Sequence, residues 1–208
     1  MKGSAHFAIG AASGFIVSNV IQTDLTTTIL FVGLGAVTGL IPDLDINGKL
    51  SNKITISYKI IRTVVCIIGF LLMVYSYLDG NETSKWLGVA LGVGIILLSS
   101  FIKQRHMLTV TGIIVLIAGF SLGKTWLWLL GTFIIAASLV PHRSYTHSIV
   151  GILYFGLIAY QFEFSVGIEG AFACCMAGYI SHLVADMKML PFNKRGVKFF
   201  LPFSKHEF

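Results

Sequence analysis

His182 and Asp186 stand four residues apart, which puts their side chains on one face of a helix. Such a pair can hold one metal ion from one side. Asp43 and Asp45 are two apart directly after Pro42. In an extended or turn segment they reach the same ion, or two neighbouring ions, while Leu44 anchors in apolar surroundings. His142 follows Pro141, which favours a helix start. It lies five residues from His147, a spacing that a loop-to-helix junction closes. With His6 near the start of the first apolar run, the candidates are four imidazoles and three carboxylates. Seven ligands are too many for one tetrahedral zinc, which takes four. They suit two ions sharing a carboxylate and a water. A nitrogen and oxygen set without thiolate points to zinc, with manganese or iron as alternatives.

Arg143, beside two of these histidines, has the charge that an anionic phosphoryl transition state needs. Asp45 is the candidate for a general base in place of a ligand. Ser144, Thr146 and Ser148 read either as hydrogen-bond partners of the imidazoles or as helix caps. Taken singly, each residue has a plainer role. Asp43 or Asp45 caps a helix or pairs with Lys49, Arg143 anchors a loop, and His6 is a polar group at headgroup level. His106 and His206 carry no role.

The elements that must position these groups are apolar. Of 208 residues, 55% are hydrophobic and 12% charged, where a soluble domain carries about 25% charged residues. This excludes a soluble enzyme, a disordered tail and a nucleic-acid-binding domain. Apolar runs between polar breaks predict eight spans, at 5–21, 26–41, 60–78, 86–102, 107–122, 125–140, 146–161 and 167–186. The first two are short and Gly-rich. The expected fold is all-α: a polytopic membrane helical bundle of about eight transmembrane or partly re-entrant helices. Residues 1–187 form the transmembrane domain with an interfacial metal site, and 188–208 a basic amphipathic tail. In that tail Phe199, Phe200 and Phe203 suit the acyl boundary and the lysines anionic lipid.

Alternating the spans puts thirteen of the fifteen Lys and Arg residues on one side, with Lys85 and Lys124 on the other. That bias predicts both termini in the cytoplasm. The same alternation places His6, Asp43, Asp45, His142, His147, His182 and Asp186 on the cytoplasmic face, although none of them was used to set it. Ionisable groups at a membrane edge are costly, which favours a shared function for the seven. The N-terminal apolar stretch reads as retained rather than as a cleaved signal. Cys66, Cys174 and Cys175 lie within apolar runs and predict no disulfide. His6 with Gly10, and His147 with Gly151, each open a span pair that closes on aspartates almost forty residues later, a weak internal echo.

The set of His6, P-D-L-D at 42–45, H-R-S-Y-T-H-S at 142–148, H-L-V-A-D at 182–186 and G-V-K-F-F-L-P-F at 196–203 resembles the LexA-regulated, membrane-bound metal-dependent hydrolases, the YdjM-like inner-membrane proteins. The resemblance implies a bacterial cytoplasmic-membrane protein and a metal-dependent hydrolase, loosely linked to zinc phospholipase C and related nucleases. Its ligand set falls on the same seven residues. The expected activity is hydrolysis of a phosphoester or ester, with a phospholipid or lipid-linked phosphate as substrate, two divalent ions as cofactors and the bilayer as partner. The alternatives are a metal- or proton-coupled transporter and a structural membrane protein with a bound metal. The first of these would need polar residues along a through-path, and spans 3 to 5 have few.

Overall fold

A computed structural model describes residues 3–44, 55, 57–141, 144–188, 196–204 and 206–208, the side chain of Glu82 apart. Eight α-helices run in chain order: α1 (Gly3–Ile21), α2 (Leu25–Thr38), α3 (Tyr58–Asp79), α4 (Glu82–Ser99), α5 (Gln104–Ser121), α6 (Thr125–Leu139), α7 (Ile149–Val166) and α8 (Ala171–Ala185). Two short 3-10 turns, Ile41–Leu44 and Tyr145–His147, precede α3 and α7. There is no strand among the described residues. This is the all-helical membrane bundle expected, for the reason expected: in lipid a helix satisfies its backbone polar groups internally. α1, α3, α5 and α7 are long and apolar enough to cross a bilayer. The apolar helices Leu25–Thr38, Thr83–Ser99, Thr125–Leu139 and Ala171–Ala185 are shorter.

Two boundaries differ from the apolar runs. The second run extends to 41, but α2 stops at Thr38 and Ile41 opens the 3-10 turn. Pro42 lacks an N–H and disfavours helical geometry in the residue before it. The seventh run starts at 146, and Pro141 suggested a helix start there, yet α7 begins at Ile149. Ser148 is its N-cap, accepting from the Gly151 N–H at 3.4 Å, and Tyr145–His147 form their own turn.

The chain divides into two compact units, one of residues 1–53 with 108–208 and one of 54–107. In the smaller unit α3 packs on α4: a Cβ at Gly69 would meet Ile96 Cγ1 at 2.9 Å. Cys66 Sγ lies 3.1 Å from Ser99 Oγ, and the Tyr58 N–H donates to Gln104 Oε1 at 3.3 Å.

The larger unit holds every described candidate ligand. Asp24 caps α2, accepting from the Thr26 N–H at 3.0 Å, and the Thr27 hydroxyl, foremost among its hydrogen bonds, lowers the Asp24 pKa. The buried residues of α1 are His6, Gly10, Gly14 and Ser18, one every fourth position and so one narrow stripe. A Cβ on Gly10 would strike the Gly35 carbonyl oxygen, and one on Gly14 that of Phe31. Small residues let membrane helices approach to backbone contact. α8 joins through Gly178, which lies against Thr38 and the backbone of Gly35. Below the site is a core that includes Tyr179, Phe155, Leu183, Ile158, Leu44 and Val197. Phe155 and Tyr179 stack at 4.5 Å. All three cysteines are free.

The described end of the chain folds back on this unit. Val197 is buried and exchanges backbone hydrogen bonds with Phe208 at 3.1 and 3.0 Å. The Ile149 N–H, unpaired within α7 as a first-turn amide, donates to Phe199 O at 2.9 Å. Phe199 packs against the core, while Phe200 and Phe203 are exposed.

Candidate metal centre

Two helical hairpins, α1–α2 and α7–α8, bring their ends together. α8 carries His182 in its last turn, and its C-cap is Asp186, so the four-residue spacing delivers both to one face. The turn after α2 supplies Asp43. The turn before α7 supplies His147. The ligand atoms of Asp43, His147, His182 and Asp186 all lie within 4.8 Å of one another. His182 Nε2 is 3.3 Å from His147 Nε2. It is 3.7 Å from Asp43 Oδ1 and 3.7 Å from Asp186 Oδ2. His147 Nε2 is 3.8 Å from each of the same two oxygens.

These spacings decide whether the group suits a metal. A tetrahedron with bonds of about 2.1 Å has edges of about 3.4 Å. The five measured edges run from 3.3 to 3.8 Å. The nitrogen-to-oxygen edges are too long for direct hydrogen bonds and close to those of ligands arranged around one cation. The His182 tautomer agrees. Its Nδ1 is 2.7 Å from the Gly39 carbonyl oxygen. A carbonyl only accepts, so Nδ1 carries the proton and Nε2 presents a lone pair. His147 Nδ1 is 3.0 Å from Thr146 Oγ1, a contact that holds the orientation of that ring. Both imidazoles and Asp186 are buried, and Asp43, with 20% of its side chain exposed, is the open edge of the group. Three buried residues of this kind are costly unless a cation or a proton joins them.

His6 adds a second feature. Its Nε2 is 3.4 Å from Asp186 Oδ1, the oxygen not turned to His147 and His182. Its ring stacks on His182 at 3.9 Å. It is 1% exposed, and its Nδ1 has no hydrogen-bond partner. Asp186 thus presents one oxygen to each of two nitrogen environments.

Five of the sequence candidates stand together: Asp43, His147, His182 and Asp186 in the cluster, and His6 at its side. Asp45, His142 and Arg143 lie outside the described residues. Of the three hydroxyl residues with two readings, Thr146 meets an imidazole and Ser148 caps α7, whereas no side-chain cap bond is made by Ser144. Two contributors escaped the sequence reading. The Gly39 carbonyl has no side-chain signature. Tyr179, whose hydroxyl donates to the Thr146 carbonyl, was legible as a polar group one turn before His182 on the same buried face.

Comparison with known proteins sets this geometry in context. Neither curated proteins nor solved structures yield a match to the chain. The family model of the YdjM inner membrane protein matches residues 1–208, and the chain belongs to that family.

Proposed function

We propose that the protein is a metal-dependent hydrolase of the inner membrane that cleaves a phosphoester or ester bond in a lipid-like substrate at the cytoplasmic interface. The observation that carries this reading is the convergence of four nitrogen and oxygen ligand atoms within 4.8 Å. A divalent ion held there supplies Lewis acidity and lowers the pKa of a bound water towards neutrality. Zinc suits the mixed imidazole and carboxylate set. With one Asp186 oxygen towards His147 and His182 and the other towards His6, His147, His182, Asp43 and Asp186 would hold one ion, and His6 with Asp186 would contribute to a second.

The protein's own groups have distinct parts. His147 and His182 offer nitrogen lone pairs, fixed by Thr146 and Gly39. Asp43, the partly exposed member, marks the side from which substrate and water enter. Asp45, two residues beyond it, is assigned the proton released as water adds to phosphorus or carbonyl carbon. The ester bond to the alcohol then breaks, and the alcohol leaves with the proton that Asp45 took from the water. Arg143 is assigned the charge that builds on the phosphoryl oxygens, and His142 completes the ligand set. The bias of basic residues supports both termini in the cytoplasm.

The test is metal analysis of detergent-purified protein, followed by phosphate release from phospholipid vesicles. About two equivalents of metal are expected, with His182→Ala losing metal and turnover together. Less than about one equivalent, unchanged by His182→Ala, would overturn the reading.

A further inference from the structure

Beside the cluster lies a cavity of about 310 Å³, at the lower end of small-molecule sites, which run from about 300 to 1,000 Å³. It runs between α6 and α7, and its end is the 3-10 turn of Tyr145 and Thr146. Small side chains open it: Ala136 and Ala137 on α6 and Gly151 on α7. Gly151 has no room for a Cβ, which would strike the Tyr145 carbonyl oxygen of the preceding turn. The space therefore belongs to the packing of turn and helix and is not a gap that a larger residue at 151 would close.

Its wall exposes carbon alone, although four lining residues, Thr132, Tyr145, Thr146 and Tyr154, carry hydroxyls. Thr132 donates its hydroxyl to the Trp128 carbonyl at 3.0 Å. Tyr154 donates to the Leu129 carbonyl at 3.4 Å. The Thr146 hydroxyl oxygen is turned to His147 Nδ1 at 3.0 Å. A water needs two to four polar partners to stay in a cavity, and this wall gives it none. Val150, which lines the groove, is exposed, as are Leu139 and Leu153 outside it on the same two helices, a surface that meets acyl chains in a bilayer.

We propose that this groove holds one acyl chain of a membrane phospholipid, with the headgroup end directed to the metal cluster. Thr146 ties the two regions together, since it lines the groove and orients His147. The inference names the substrate class of the hydrolase reading and rests on it for the chemistry, but chain binding is a separate observable.

The experiment uses the full-length protein in nanodiscs of phosphatidylethanolamine and phosphatidylglycerol, doped with a phosphatidylethanolamine carrying a diazirine in one acyl chain. Photolabelling is expected to concentrate on Thr132, Ala136 and Tyr154 over Leu153 and Leu139, which are exposed but do not line the groove. Ala136→Phe fills the groove from an exposed position and is expected to lower groove labelling several-fold, because the ring takes the space and the packing contacts of the chain, with metal content unchanged. Val150→Trp, entering from the other helix, is the second variant if the first fails to fold. Labelling spread evenly over lipid-facing positions, or unaffected in the folded variants, overturns the proposal. Turnover of a short-chain phosphodiester is measured in parallel. Groove labelling without hydrolysis of any substrate keeps the chain site and removes the hydrolase reading. Hydrolysis without groove labelling does the reverse.

Discussion

Thr146→Val removes one hydroxyl and keeps the shape of the side chain, so it isolates what that hydroxyl does for His147. The hydroxyl sits 3.0 Å from Nδ1, in a place where Thr146 is 4% and His147 0% exposed. Removing one partner of a buried hydrogen bond costs about 1–3 kcal/mol. Partners of metal-bound histidines, when mutated, lower metal affinity by about 10- to 100-fold, which converts to about 1.4–2.7 kcal/mol at 1.36 kcal/mol per decade. The two routes agree, so Thr146→Val is expected to weaken metal binding by one to two decades. The matched control is Ser148→Ala, two residues on. Ser148 meets no ligand ring and caps α7, so its loss costs about 1 kcal/mol of stability and leaves metal affinity in place. Competition with a chromogenic chelator in detergent reads the affinity, and thermal unfolding reads the stability. Equal metal affinity in Thr146→Val and the parent refutes the reasoning, as does an equal loss of affinity in Ser148→Ala.

Four further outcomes are expected. Gly35→Val should unfold the α1–α2 hairpin at lower temperature and release metal, because a Cβ there meets the Gly10 carbonyl oxygen and overpacking costs about 1–3 kcal/mol. Gly33→Ala, on the same helix with nothing within 4 Å, should instead raise the unfolding temperature, since Ala is favoured over Gly in a helix by about 1 kcal/mol. Metal affinity should fall as pH drops, by up to about two decades per pH unit once both histidine ligands take protons; protons compete for the lone pairs of His147 and His182, and a flat profile from pH 7 to pH 5 contradicts their role. A chelator should lower the unfolding temperature reversibly, because metal bound only to the folded state at 1,000 times its Kd stabilises by about 4 kcal/mol; no change on chelation and re-addition contradicts a resident ion.

The sequence carried the helices because a membrane chain announces them. Runs without charge must be helical in lipid, and the polar breaks, such as Asp79 with Gly80 and Gln22 with Thr23, mark where each stops. Helix ends were less legible. α2 stops at Thr38 although the run stays apolar through Ile41, because a proline, not a charge, ends it. The cluster was legible only collectively. No single residue among Asp43, His147, His182 and Asp186 points to a metal, but span alternation gathers them on one face before any contact is known. What stayed hidden has no letter of its own. The carbonyl that orients His182 belongs to Gly39, and which helix meets the Gly10 and Gly14 stripe depends on tertiary packing.

The two hairpins contribute in parallel, and the parallel has limits. Each places a histidine at the start of its first helix, His6 in α1 and His147 just before α7, and an aspartate after its second, Asp43 and Asp186. Each second helix is the shorter one, 14 and 15 residues, rising only about 21–23 Å at 1.5 Å per residue against a hydrocarbon core of about 30 Å. Their C-terminal ends carry the partial negative charge of the helix dipole, so both short helices direct carbonyl ends and a carboxylate at one place, which favours a cation there. The glycines four residues after each histidine do different work. Gly10 admits the backbone of α2, whereas Gly151 admits the carbonyls of its own preceding turn. Gly151 lines the groove between α6 and α7 beside His147, so the likeness between the hairpins lies in the ligands they deliver and not in what their glycines pack against.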